Sequence, residues 1–162
     1  MIIEDTRQKK DKHTIKNDAF KALGIDVLRR ALPFGDYAYP PPIAVDTKEN
    51  MQELAMDVGI DHARFRQECE LAKQAGSQLY ILIETEWESI KTIDDVHLWY
   101  NPRLIVSKKA ITGSTLEKAI KTMSARYGVK FMFCRPEESA EMIIKILNGD
   151  FEDEQQNIRC RP

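Results

Sequence analysis

Leu32-Pro-Phe-Gly-Asp-Tyr-Ala-Tyr-Pro-Pro-Pro-Ile-Ala-Val-Asp-Thr-Lys48 is the stretch on which the architecture turns. No helix fits there, and the three prolines Pro40–Pro42 punctuate it, so it reads as a β-hairpin. With the loop centred on Pro41, Asp36 and Asp46 stand opposite each other, because 41 is their midpoint. Cross-strand partners on one face have Cβ atoms about 4.5–5.5 Å apart. Lys48 lies two residues beyond Asp46, and strand side chains at i and i+2 share a face. One face of one hairpin is therefore expected to carry two carboxylates and an ammonium, with the Thr47 carbonyl nearby.

Two carboxylates so close repel, and one tends to hold a proton unless a cation sits between them. Mg²⁺ suits such a pair, since it takes oxygen ligands, keeps several waters and accepts phosphate oxygens; Mn²⁺ is expected to substitute. A metal there can activate a water and stabilise charge on a phosphate under attack. Lys48 can orient that water or neutralise the developing charge. Taken alone, the three residues fit equally well a surface hairpin with a solvated Asp46–Lys48 pair, neither aspartate belonging to the core.

Working outward, the order of elements reads as mixed α/β. Strands are expected at Ile2–Thr6, Ile25–Leu28, Gln78–Glu84 and Val129–Cys134, the third as a continuous apolar run. Helices are expected over His13–Leu23, Met51–Val58, Asp61–Ala75, Ser114–Ala125 and Ser139–Leu147. Asp61 reads as an N-cap, Ser114 with Glu117 as a capping box, and Gly24, Gly76 and Gly149 as helix stops. Within Glu86–Ser107 the pattern supports only a short helix near Asp95–Tyr100. The fold expected is an α/β central mixed sheet flanked by helices, in one domain over residues 1–149. Residues 150–162 read as an acidic, disordered tail.

A chain of 162 residues with 43% apolar and 31% charged residues can build its own core. The net charge of −2 argues against a passive electrostatic DNA binder but not against a nuclease, whose carboxylates lower the total by themselves. Basic groups gather at Lys9, Lys10 and Lys12, at Arg29 and Arg30, and at Lys108 and Lys109. The three cysteines, Cys69, Cys134 and Cys160, have no metal spacing and read as reduced thiols of a cytosolic protein. No apolar run is long enough to span a bilayer and no secretory signal opens the chain, so no membrane role is expected. The histidines His13, His62 and His97 form no cluster and receive no chemistry. Trp87, Trp99 and Tyr100 read first as packing residues rather than base-stacking platforms.

At Gly35-Asp36 followed by Asp46-Thr47-Lys48 the chain resembles the nuclease domain of XPF-type structure-specific endonucleases, within the PD-(D/E)xK superfamily. Glu4-Asp5-Thr6-Arg7-Gln8 is similar to that family's opening strand, and Asp61-His-Ala-Arg64-Phe65-Arg66-Gln-Glu resembles its Gly-Arg-Phe-Arg-Glu-Gln helix. Gln78-Leu-Tyr-Ile-Leu-Ile-Glu84 matches its core-closing strand, so the resemblance runs from Ile2 to Glu84 in order. Departures are present: Asp46 stands for the family's Glu, Thr47 for its Arg, and Gln52 where an acid follows the lysine. Gln8 replaces a Glu, and Gln67-Glu68 inverts a pair. The second half resembles stand-alone bacterial or phage versions of the domain and carries no motif tied to chemistry.

The resemblance implies a restriction-endonuclease-like form of the mixed sheet and a metal-dependent DNA endonuclease acting on branched or partly single-stranded DNA, cytoplasmic or nucleoid-associated. It assigns catalysis to Asp36, Asp46 and Lys48, and metal binding to Asp36, Asp46 and the Thr47 backbone carbonyl, with Asp5 as a further ligand or as a support for Arg7. Arg64, Arg66 and Arg7 become DNA contacts and Glu84 a support behind the site. DNA is the expected partner, with a second copy or a partner subunit, and no small-molecule cofactor. A nuclease-fold DNA-binding or scaffolding subunit without cleavage is the alternative. A phosphate-accepting receiver domain, suggested by Glu4-Asp5 and Asp46, lacks room for the helix it needs before the acceptor strand.

Overall fold

The computed structural model describes residues 1–7, 9, 12–39 and 43–150, with the side chain of Tyr39 left out. Gln8, Lys10, the hairpin prolines 40–42 and the expected tail beyond Asp150, with Cys160, lie outside the described residues.

A six-stranded mixed sheet runs in the order β2-β1-β3-β4-β5-β6. Its strands are β1 (Ile2–Glu4), β2 (Val27–Arg29), β3 (Tyr37–Tyr39), β4 (Ile43–Lys48), β5 (Gln78–Glu84) and β6 (Lys130–Cys134). β3 is antiparallel to both β1 and β4, while β1–β2, β4–β5 and β5–β6 are parallel. β5 has parallel partners on both sides and helices on both faces, which is why Leu79-Tyr-Ile-Leu-Ile83 is apolar without alternation. Each such fully buried aliphatic side chain contributes about 1.5–3 kcal/mol relative to exposure.

The helices are α1 (Thr14–Ala22), α2 (Met51–Gly59), α3 (His62–Gln74), α4 (Gly113–Tyr127) and α5 (Ser139–Asn148). α2, α3 and α4 cover one face of the sheet, packing Leu54, Phe65, Leu116 and Ile120 on Ile81 and Ile83. α1 and α5 cover the other, packing Phe20, Ile143 and Ile146 on Tyr37, Val45 and Leu82. Cys69 and Cys134 are buried free thiols, and burial pushes both up to about 12. No helix among the described residues is long and apolar enough to cross a membrane.

Two caps differ from expectation. Asp61 precedes α3, yet its side chain makes no capping hydrogen bond and lies 3.9 Å from Arg64. α4 is capped by Thr112, which accepts from the Thr115 amide at 3.2 Å, and not by a Ser114–Glu117 box. The reason is Gly113: a Cβ there would lie 2.4 Å from the Trp99 carbonyl oxygen, so only glycine lets the helix start against that segment. Glu117 is occupied instead by the His97 amide and Lys121. The segment after β5 holds two 3₁₀ turns, Ile93–Leu98 and Pro102–Ile105. Trp99 is core, whereas Trp87 and Tyr100 are exposed.

Candidate active site

β3 and β4 pair Tyr37 with Val45 and Ala38 with Ala44, and just before β3 the Asp36 amide donates to the Val45 carbonyl at 2.8 Å, which keeps Asp36 close to Asp46. Alternation along β4 sends Val45 to the α1–α5 face and Ala44 to the other. Asp46 and Lys48 follow Ala44, toward α2 and α3, where Lys48 Nζ lies 5.1 Å from the Phe65 ring centroid. Gly35 makes the turn into β3 possible. Its φ is +72° and an added Cβ would sit 3.1 Å from the Val45 carbonyl oxygen. Its amide donates to Glu68 Oε1 at 2.7 Å, tying the hairpin to α3.

Asp36 does more than face Asp46. Its Oδ2 accepts from the Thr47 amide at 2.9 Å and the Thr47 hydroxyl at 2.5 Å, and His13 Nε2 stands 3.9 Å away. Both aspartates are buried, at 1% and 6% exposure, which corrects the reading of them as outside the core. Asp36 is packed beside Thr47 and His13, and Asp46 beside Lys48, where a surface hairpin would leave both wet.

Lys48 Nζ is held at 2.6 Å by Asp46 Oδ2 and at 2.6 Å by Asp57 Oδ2 of α2. Burial works against the ammonium, but the two carboxylates outweigh it and raise Lys48 above its ordinary range. Burial likewise raises the Asp46 carboxyl well above its ordinary range; Lys48 pulls it down, and Asp36 and Glu68 push it further up. Arg64 Nη2 donates to Asp57 Oδ1 at 2.9 Å, so Asp57 ties Lys48 to an arginine that is two-thirds exposed.

Asp36, Asp46 and Arg64 open on a cleft of about 430 Å³ lined also by Asp5, Arg7 and Glu68, among others, while Lys48 is buried beside Asp46 and does not line it. A larger hollow of about 530 Å³ between Trp87 and Arg135 brings together no such pair of aspartates with arginines, so size does not mark the site. Asp5 serves its neighbours: Oδ2 takes Arg7 Nε at 2.7 Å, and Oδ1 accepts from the amides of Leu32 and Arg7. Arg7 and Arg64 reach the cleft, while Arg66 is on α3 paired with Glu70 at 3.6 Å and does not line it. Arg64 turns to Asp57, and Glu68, one helical turn on, turns to the Gly35 amide. Glu84 pairs with Lys16 at 2.5 Å and so fastens α1, the helix whose N-cap is His13.

Sequence reasoning passed over Asp57 and His13. Asp57 stands next to the apolar stripe Leu54, Ala55 and Val58 of α2, a position where a buried acid needs a cation, and that was its one signal. His13 carries no spacing signal at all; it is buried against Tyr37 at 5.4 Å between ring centroids.

The donor set fits a hard divalent cation. The groups facing the cleft from β3 and β4 are carboxylate oxygens, and among the described residues no three His, Cys, Asp or Glu side chains converge as a closed cage. Mg²⁺ is content with one or two carboxylates and its own waters. A structural zinc site would need four protein ligands.

Comparison with known proteins agrees with this architecture. The chain resembles XPF from Aeropyrum pernix, with 18% identity over 98% of this chain and 68% of that one, at a TM-score of 0.66. It resembles the same archaeal protein solved in complex with DNA, with 18% identity over 99% and 67% of the two chains, at a TM-score of 0.65. A search of curated proteins gives no match. The ERCC4 domain matches residues 4–146, nearly the whole length over which the sheet and its two helical layers are built, and the chain belongs to the ERCC4 domain family.

Proposed function

We propose that the chain is a divalent-metal-dependent DNA endonuclease, hydrolysing phosphodiester bonds in branched or partly single-stranded DNA. The observation that carries this is the meeting of Asp36 and Asp46 at one cleft that Arg7 and Arg64 also reach, with the buried, Asp57-braced Lys48 bonded to Asp46 behind them. Membership of the ERCC4 domain family and the likeness to an XPF solved with DNA support it.

In this reading the carboxylates of Asp36 and Asp46, with the Thr47 carbonyl, hold Mg²⁺ or Mn²⁺. When bound, the ion supplies a Lewis acid and a more acidic water. Thr47 fixes Asp36 through two hydrogen bonds, so that carboxylate is oriented before substrate arrives. Lys48 stays charged between Asp46 and Asp57 and faces negative charge developing on the phosphate. Arg64 and Arg7 grip neighbouring phosphates as bidentate donors. Recognition in this reading rests on phosphates and on DNA deformability. A second copy of the chain or a partner subunit completes tight binding.

One observation favours a second reading, a DNA-binding subunit that does not cleave. Lys48 is clasped on both sides by carboxylates, which ties up the ammonium that cleavage would use. Labelled fork and flap DNA incubated with Mg²⁺ separates the two. Cleavage that disappears with chelator and in Asp36→Asn and Asp46→Asn supports the enzyme. Binding without any cleavage supports the subunit, and cleavage undiminished in chelator defeats the metal reading.

A further inference from the structure

The run from Val96 to Leu116 contains no aspartate or glutamate and is the longest acid-free stretch of the chain. It holds Arg103, Lys108 and Lys109, all exposed, and none makes a side-chain hydrogen bond or ion pair among the described residues. In a protein of net charge −2, elsewhere laced with ion pairs such as Lys121–Glu117 and Lys145–Glu141, this is a local concentration of uncompensated positive charge.

The segment is also stiffly built. Gly113 lets the start of α4 press on the Trp99 carbonyl, which pinches the ends of the loop together. Asn101, 2% exposed, donates through Nδ2 to the Ile111 carbonyl at 2.8 Å and accepts at Oδ1 from the Arg103 amide at 3.0 Å. The amides of Val106 and Ser107 both donate to the Arg103 carbonyl, at 3.1 and 2.8 Å. A loop closed in this way has its backbone ordered before anything binds, so only the rotamers of its basic side chains remain to be fixed.

Its place in the fold connects it with the cleft. Arg103, Ser107 and Lys109 line a hollow of about 310 Å³ against Met56 of α2 and Ile60, which caps the helix. The same helix presents Asp57 to Lys48 and Arg64. α2 thus meets the loop and also, through Asp57, Arg64 of the cleft.

We propose that the loop Asn101–Ile111 is a second DNA-backbone contact, in which Arg103, Lys108 and Lys109 bind phosphates beyond those held at the cleft. The identity of the polyanion rests on the DNA reading above, whereas the binding test does not depend on cleavage. Affinity for a labelled DNA fork is measured without metal across a salt series. The wild type is compared with Lys108→Ala/Lys109→Ala and with a control that also loses two charges, Lys21→Ala/Lys145→Ala on α1 and α5 across the sheet. Each phosphate contact adds about 0.9 to the slope of log affinity against log salt. The loop variant is therefore expected to be shallower by about 1.8, so that the wild-type advantage shrinks roughly twelvefold between 50 and 200 mM salt. Arg103→Ala flattens the slope further, and the control keeps the wild-type slope. If the wild type binds but does not cut, the enzyme reading fails and the loop is still judged by its slope. A wild-type slope for the loop variant, or equal flattening in the control, overturns the proposal. So does a change of mass in solution in Ile105→Ser/Val106→Ser with the loop variant's DNA slope unchanged, which would assign the loop to a protein partner.

Discussion

Lys48 Nζ stands 2.6 Å from Asp57 Oδ2, the same distance that separates it from Asp46 Oδ2. The ammonium is thus shared between β4 and α2. Asp57 is shared in turn, since its other oxygen accepts from Arg64. A strand lysine, a helix aspartate and an exposed arginine form one chain of contacts from the buried edge of the sheet to the surface.

Asp57→Asn should test that chain. The substitution keeps shape but removes one of two charges that hold a buried ammonium. We expect a loss of about 1–3 kcal/mol in stability, because Lys48 keeps Asp46 as a partner. Cleavage should fall at least tenfold in kcat, with KM little changed, because Lys48 loses its orientation rather than its charge. Thermal melts and steady-state kinetics read the two effects separately. Unchanged kcat in a stably folded variant would leave Asp57 as structural.

Gly35→Ala addresses the turn that delivers Asp36. The backbone there has φ +72°, and the new methyl would meet the Val45 carbonyl oxygen at 3.1 Å and Ala44 Cβ at 3.3 Å. Strain and crowding together should cost about 1–3 kcal/mol. The Gly35 amide would also shift from Glu68. A fall in melting temperature with a disproportionate loss of metal binding is the expected result, whereas wild-type values for both would show that the turn accommodates a side chain.

Arg64→Ala separates the exposed end of the contact chain from its buried end. Arg64 is two-thirds exposed, so its ion pair with Asp57 is worth at most about 1 kcal/mol, and melting should barely move. As a phosphate contact its removal should flatten the salt dependence of DNA affinity by about 0.9. Identical affinity across a salt series would confine Arg64 to its pairing with Asp57.

Much of this arrangement was legible in the residues because its causes are local. The apolar run of β5 needs burial on both faces, and counting outward from a turn expected at Pro41 predicts the Tyr37–Val45 and Ala38–Ala44 pairs that bring Asp36 close to Asp46. What was not legible depends on how separate segments meet. Asp57 looks like any solvent-facing acid of a short helix until β4 places Lys48 under it. His13 shows no pattern until β3 sets Asp36 and Tyr37 beside it. The α4 cap moved from Ser114 to Thr112 because a glycine one residue before Ser114 was free to touch Trp99, a contact no propensity encodes.

The carboxyl of Asp46 offers a pH signature. Burial raises it well above its ordinary range, Lys48 opposes that, and Asp36 and Glu68 add to it. The folded protein therefore keeps this proton over a range in which the unfolded chain, titrating near pH 4, has already lost it. Below that range both states are protonated and the contribution to stability is fully present. As pH rises, the unfolded state gains from ionising first, and stability falls until the folded carboxyl ionises too, after which the loss levels off. A divalent cation needs the ionised form, so its binding should strengthen with pH across the same window, by up to about tenfold per unit, and release a proton. Melting temperatures with and without Mg²⁺ between pH 4 and 9 check both signs. The metal-free protein should lose stability relative to Asp46→Asn as pH rises, and the Mg²⁺-induced increase should grow with pH in the wild type and be absent in the variant. A Mg²⁺ effect of the same size at every pH would show that Asp46 is ionised throughout and that Lys48 alone governs its charge.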